Sequence, residues 1–169
     1  YSFKYDKASF PGTIIAGEFG DYSSTDGGVD LHVYFKPTHK DLASAYAETA
    51  VKEFTYFVTL YGPPASNVLR VVELPDDTVP SAWAPEIAAL AARGITPRTN
   101  YRSLANMLAH QWWGTSVSPA SRDDWWLEDG FARYSEARYI ESAAGPAGLQ
   151  DAVKDMSVGA LAYDMVPLS

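Results

Sequence analysis

Asn106-Met107-Leu108-Ala109-His110-Gln111-Trp112-Trp113-Gly114, followed by Trp125-Trp126-Leu127-Glu128-Asp129-Gly130-Phe131-Ala132, are the two runs that decide how this chain folds. Thr99 or Asn100 can cap a helix running through His110 towards Gly114, since a short polar side chain accepts a free backbone N–H of the first turn. On that helix residues 106 and 110 lie one turn apart and point the same way. Asp129 follows His110 after eighteen intervening residues and opens a second helical stretch, Asp129 to Ser142, which Gly145-Pro146 ends. Trp112, Trp113, Trp125 and Trp126 read as packing residues, with edges available to a groove.

The chain has 169 residues, a length suited to one domain (1–169) or a large part of one. Apolar residues make up 47% and aromatics 14%, enough to bury a core, and 20% are charged. The net charge is -8, and the 13 Lys and Arg form no basic face, which excludes a nucleic-acid partner and disfavours anionic membranes. Without cysteine there are no disulfides, thiolate metal sites or cysteine nucleophiles. No apolar run approaches the ~20 residues of a membrane-spanning helix. The sequence opens at Tyr1 with no visible signal peptide, which suggests a domain excised from a longer parent.

Upstream, a leading strand pair is expected within residues 1–36. Thr13 to Phe19 is β-branched and aromatic enough for a strand, and Gly20 to Gly28 reads as a turn or mobile loop. Val29, Leu31, Val33 and Phe35 alternate with Asp30, His32 and Tyr34, the period of a half-buried strand. His32 on its polar face and His39 in the following turn read as ordinary surface histidines rather than metal ligands. A long helix is expected over 38–61, capped by Thr38 or Asp41. Ala43, Tyr46, Ala47, Ala50, Phe54, Phe57, Val58 and Tyr61 form its apolar stripe, and Gly62-Pro63-Pro64 stops it. Val68 to Leu74 suits a buried strand, and Pro75 to Pro80 a polar connection. Ser81 to Ile95 allows two readings: a short helix from Pro85 through Ala92, or an edge strand at Ile87 to Leu90. A short helix is expected near Leu149 to Met156, with a loose tail from Gly159. Strands beside helices in this order indicate an α+β domain.

The two tryptophan-rich runs resemble the aminopeptidase N family of zinc metallopeptidases, of the gluzincin type. That family's pattern is H-E-x-x-H-Q-W-W-G, then, eighteen residues after the second His, a Glu within W-L-N-E-G-F-A. The upstream order of strand pair, long helix and strand also fits, so the resemblance covers most of the chain. It implies a thermolysin-like (zincin) catalytic-domain fold, a mixed sheet over a zinc-bearing helix, lacking the helical C-terminal part. His110 matches the second zinc histidine. Asp129 matches the glutamate ligand, one methylene shorter. Asn106 stands at the first histidine, and a neutral amide is a poor Zn²⁺ ligand. Met107 stands at the general base, where a thioether cannot take a proton from water. Glu128 replaces the family's Asn beside the ligand.

Two further elements are missing from the pattern. The G-A-M-E-N segment, whose Glu holds a substrate's amino terminus, has no counterpart in Val79 to Pro85, and the first acid there is Glu86. Tyr163 lacks the Y-x-K-G context of the family's catalytic tyrosine, which is expected past Ser169. Loss of an acid–base group commonly costs ~10²–10⁴ in rate, and loss of the metal removes water activation and carbonyl polarisation together. The 100–143 helices therefore read as a degenerate zinc site with no intact catalytic residue, in a pseudoenzyme that binds a peptide or protein. No cofactor is expected, or zinc where the residual site is filled. His110 without metal would pair with Asp129, which would fix its tautomer, and Asp129 would equally serve its helix N-terminus. Two alternatives stand beside this: an active peptidase recruiting His32 or His39, and an interaction domain whose cleft is plugged by Trp83 or Met107. No substrate-binding residue is assigned, and the compartment stays open, including an exported or membrane-associated parent.

Overall fold

The computed structural model describes residues 13–75 and 79–163, in the order β1 (Gly20–Asp26), β2 (Val29–Phe35), α1 (Ala43–Tyr61), β3 (Val68–Glu73), β4 (Ala82–Ala84), β5 (Ile87–Leu90), α2 (Tyr101–Ala109) and α3 (Trp125–Tyr163). The strands form a mixed sheet in the order β1-β2-β3-β5-β4. The pairs β2/β3 and β3/β5 are parallel, while β1/β2 and β4/β5 are antiparallel hairpins. This α+β arrangement of a mixed sheet packed on helices is the fold class that the sequence indicates.

The alternation in β2 is realised as expected. Val29, Leu31, Val33 and Phe35 are buried, while Asp30, His32 and Tyr34 are half-buried. Helix α1 lays its stripe on β2, with Tyr46, Ala50, Phe54 and Phe57 in the core beside Phe35, and α2 covers β5 through Leu104 and Leu108. Each fully buried side chain of this size contributes about 1.5–3 kcal/mol. The Tyr46 hydroxyl donates to the Gly94 carbonyl and accepts from the Thr96 N–H, at 3.2 and 3.1 Å, fixing the entry to α2. Asn100 caps α2 by accepting from the Ser103 N–H at 3.2 Å.

Several local expectations are corrected. Thr13 to Phe19 carries no strand, and Gly20 to Asp26, expected as a loop, is β1. Its Ser and Asp residues suit an exposed edge, and its hydrogen bonds come from β2 rather than from its own composition. Gly27 and Gly28 (φ 60° and 78°) make the two-residue turn, a conformation open to glycine. Helix α1 starts at Ala43, after a 3-10 turn over Pro37–Leu42, so neither Thr38 nor Asp41 caps it. In the ambiguous segment the strand is realised, not the helix. However, β5 is interior and β4 forms the edge.

Helix α2 ends at Ala109 with His110 as its C-cap, rather than running towards Gly114. Helix α3 begins at Trp125, four residues before Asp129, and breaks at Gly145 (φ 71°) before Pro146. Its second part extends to Tyr163, so residues 159–163 are helical rather than loose. The rest of the expected tail, and the first 12 residues, lie outside the described residues.

One buried group opposes the fold. Glu53, on the core side of α1, is 0% exposed, and neither carboxyl oxygen has a hydrogen-bond partner. Burial, and then Glu136 nearby, hold its pKa well above the ordinary 4.5. The folded state therefore keeps a proton that the unfolded chain releases, and stability falls as pH rises above about 4.5 towards the folded value. Glu53→Met is expected to raise the melting temperature by several degrees at pH 8 and by less at pH 5. Thermal unfolding at both pH values checks the sign.

Candidate functional site

The turn that follows α2 is fastened on three sides. Gln111 Oε1 accepts from the Glu86 N–H at 2.8 Å, and its Nε2 donates to the Ala84 carbonyl at 3.1 Å, gripping the β4–β5 turn. Glu86 needs that grip, because its φ of 64° is a left-handed conformation costly for any residue but glycine. Trp112 Nε1 donates to the Gly62 carbonyl at 2.9 Å, and its ring lies among Phe54, Phe57 and Tyr61 of α1. Trp113 Nε1 donates to Ser135 Oγ of α3 at 3.0 Å, and its ring stacks on Phe131 at 4.7 Å. Gly114 (φ 117°) is needed where it stands, since a Cβ there would lie 2.5 Å from the Trp83 ring.

These bonds set the geometry around His110, which is 2% exposed. Its Nδ1 lies 3.0 Å from the Trp113 carbonyl. A carbonyl only accepts, so Nδ1 carries the proton and Nε2 keeps its lone pair. Asp129 Oδ1 stands 4.0 Å from Nε2, and Glu128 Oε1 4.0 Å from Nδ1. The His110–Asp129 contact is too long for a hydrogen bond, so the Trp113 carbonyl, and not Asp129, sets the tautomer. Burial lowers the His110 pKa below the ordinary 6.5, against opposing contributions from Trp113 and Asp129. Its neutral form therefore favours folding above that pH, and the benefit is lost as pH falls below it. Trp83, on edge strand β4, stacks flat on the imidazole at 4.7 Å and 6°.

Ser81, Ala82, Trp83, Asn106, Met107, His110, Asp129 and Arg133 line one open cleft of about 440 Å³. The structure thus brings together the four positions singled out by the sequence, Asn106, Met107, His110 and Asp129. It leaves His32 and His39 elsewhere: His32 lies beside Asp21 and Asp30, and His39 bonds Glu73 at 2.9 Å. Asn106 Nδ2 is buried without a partner, and an amide N–H₂ is the opposite of what a cation requires. The residues fit the two-imidazole zinc set only at His110 and Asp129. Glu128 gained its place unexpectedly. It is in the first turn of α3, its carboxyl is partly buried, and burial followed by the neighbouring Asp129 raises its pKa. Among the described residues, one group of acids and histidines has metal-holding proximity: ligand atoms of His110, Glu128 and Asp129 lie within 4.8 Å of one another.

No protein-family model matches this chain. Among solved structures, it is similar to a mutant M1 zinc metallopeptidase from Deinococcus radiodurans bound to a Tyr-Ser-Ala substrate, with a TM-score of 0.68 and 23% identity. The match covers 84% of this chain and 33% of that one, so the chain spans about a third of that protein's length. At this identity the likeness shows a shared fold, that of a zinc metallopeptidase domain.

Removing the Gln111 amide should release the β4–β5 turn. Gln111→Ala leaves the Glu86 N–H and Ala84 carbonyl without their partner and is expected to cost about 2–4 kcal/mol of stability. Urea unfolding measures that loss, and a changed ring-current shift of the His110 imidazole by NMR reports movement of Trp83.

Proposed function

We propose that the chain is an aminopeptidase-N-like metallopeptidase domain with a degraded zinc site, which holds a peptide or protein segment in its cleft without hydrolysing it. The observation that carries this reading is Met107. It lines the same cleft as His110 and Asp129, at the position where hydrolysis requires a base. A thioether neither orients nor deprotonates water. Asn106, one turn before His110, adds an amide in place of an imidazole.

Binding is supported by the sheet edge. Among the described residues β4 pairs with β5 on one side only, and its other edge suits an extended segment adding as a further strand. Arg133 in the cleft offers guanidinium N–H groups to a carboxylate or carbonyl. The metallopeptidase with the shared fold was crystallised with the tripeptide Tyr-Ser-Ala, a ligand of the size such a cleft takes.

A second reading, a purely structural interaction domain, is favoured by one contact. Trp83 lies flat on His110 and fills the space over Gly114, covering part of the cleft with the chain's own side chain. Recruitment of a remote histidine for catalysis has no support, since the ligand group near His110 contains neither His32 nor His39.

Aminoacyl-anilide assays on the full chain, with and without added Zn²⁺, are expected to show no turnover above blank and no effect of a chelator. Turnover that a chelator abolishes would sink the proposal. Titration calorimetry with Tyr-Ser-Ala separates the two non-catalytic readings: binding supports the peptide module, and no binding supports the structural domain. The combined variant Asn106→His, Met107→Glu and Asp129→Glu is expected to retain stoichiometric zinc through dialysis, measured by elemental analysis. Failure of that variant would mean the supporting residues no longer orient a zinc site.

A further inference from the structure

We propose that a slot between the turn after α2 and the start of α3 takes a lysine side chain of a peptide or protein partner. The aliphatic stem would lie against Trp113, Leu127 and Phe131, and the ammonium would bond Glu128 and Ser118. The slot shares no lining residue with the cleft and is a second, separate site.

Its walls are apolar. Trp113 is fixed by Ser135 and stacks on Phe131 at 4.7 Å, and Val117, Pro119 and Leu127 complete the apolar lining. The cavity measures about 100 Å³. That is well below the about 300–1,000 Å³ of a small-molecule pocket and suits a single side chain. Val117 and Phe131, 59% and 43% exposed, leave the slot within reach of a partner.

The polar side-chain atoms in the slot are left as acceptors. Trp113 Nε1 gives its proton to Ser135 Oγ at 3.0 Å, and Ser118 Oγ gives its own to the Gly114 carbonyl at 2.7 Å. Ser118 Oγ keeps its lone pairs, and the one other polar side chain is the Glu128 carboxylate. That side chain is 19% exposed, and among the described residues no donor reaches it. His110 Nδ1, at 4.0 Å, is out of hydrogen-bond range and turned to the Trp113 carbonyl, and no Lys or Arg lines the slot. Gly114 makes room for the carboxyl, since a Cβ there would lie 3.0 Å from its carbon. A largely buried carboxylate beside apolar walls lacks donors, and a cation carried on an apolar stem supplies both contacts.

The same chemistry disfavours other occupants. An anion would meet Glu128 with no side-chain donor to receive it. An apolar side chain would desolvate the carboxylate further and leave it unpaired. Arginine brings five N–H donors in a rigid plane, some of which apolar walls would leave unmatched, whereas an ammonium is a compact charge with three donors. The net charge of -8 favours the approach of a basic partner.

NMR titration of the full chain with acetyl-Ala-Lys-Ala-amide at low salt should move the Trp113 indole N–H signal. That of Trp112, bonded to Gly62, should stay in place. One side chain is expected to bind with a dissociation constant of about 1 mM. Nuclear Overhauser contacts from the lysine ε-CH₂ to ring protons of Trp113 and Phe131 should locate it, a readout that needs no variant. Norleucine or Nε-acetyl-lysine in place of lysine should weaken binding at least tenfold. Glu128→Gln, which keeps the shape and removes the charge, should do the same, and Asp123→Asn, an exposed acid outside the slot, should leave binding unchanged. Absence of any shift at 20 mM peptide, equal binding of the norleucine peptide, or Glu128→Gln binding as the parent does would overturn the proposal. Overhauser contacts to Trp83 instead would place the lysine in the cleft and overturn it too. None of these outcomes bears on turnover or on Tyr-Ser-Ala binding in the cleft.

Discussion

The four residues from Gln111 to Gly114 join every layer of this molecule, each through a different chemistry. Gln111 spends its amide on the sheet hairpin, Trp112 inserts into the aromatic cluster of α1, and Trp113 bonds and stacks on α3. Gly114 removes a side chain so that Trp83 can pass. A helix ending at Ala109 exposes its last carbonyls to this turn, and the Thr115 N–H returns to the His110 carbonyl at 3.2 Å. Because these partners lie in different elements, no one layer can shift without breaking bonds to the others. The position of His110 follows from that fixed turn rather than from any ligand.

That order of dependence explains the electrostatics of the cleft. His110 is held by a main-chain carbonyl and stacked under Trp83, and its desolvation, which outweighs the pull of that carbonyl towards the protonated form, favours a neutral ring. The acids beside it come from α3, whose own seat is set by Trp113, Phe131 and Ser135. Ser135 Oγ accepts from Trp113 Nε1 and donates to the Phe131 carbonyl, so its one proton is used, and Tyr61 is left as the donor in their 3.0 Å contact. The ring and the carboxylates are thereby brought within reach of each other by packing alone, without touching.

Legibility in the sequence tracks where the decisive interactions lie. The α1 stripe and the β2 alternation were readable because each is a local period that a single core face imposes. Strand β1 was not, because Gly20 to Asp26 carries few strand formers and owes its conformation to β2 across the turn. Ile87 to Leu90 was ambiguous for the same reason: a short apolar run becomes a strand only when β3 lies beside it. The tryptophan-rich runs marked the cleft and Asn106, Met107, His110 and Asp129 within it. The place of Glu128 beside His110 stayed hidden because it depends on where α3 starts. A helix beginning at Asp129 leaves Glu128 outside as a cap, whereas one beginning at Trp125 places it in the first turn. Trp83 was visible only as a plug without a target, since its target depends on how β4 folds back on β5.

The same layout shows why the residues at 106 and 107 can vary while the fold still stands. None of the bonds made by Gln111, Trp112 and Trp113 passes through Asn106 or Met107, which face the cleft rather than the joint. Substitution there costs at most the desolvation of one buried amide nitrogen, about 1–3 kcal/mol, as the orphaned Asn106 Nδ2 illustrates. Substitution at Gln111 or Gly114 would instead break the joint itself. Physical chemistry thus divides the run in two: a half facing the cleft whose letters can drift at small cost, and a structural half whose letters cannot. In this chain Asn106 and Met107 stand in the first half, and His110-Gln111-Trp112-Trp113-Gly114 makes up the second.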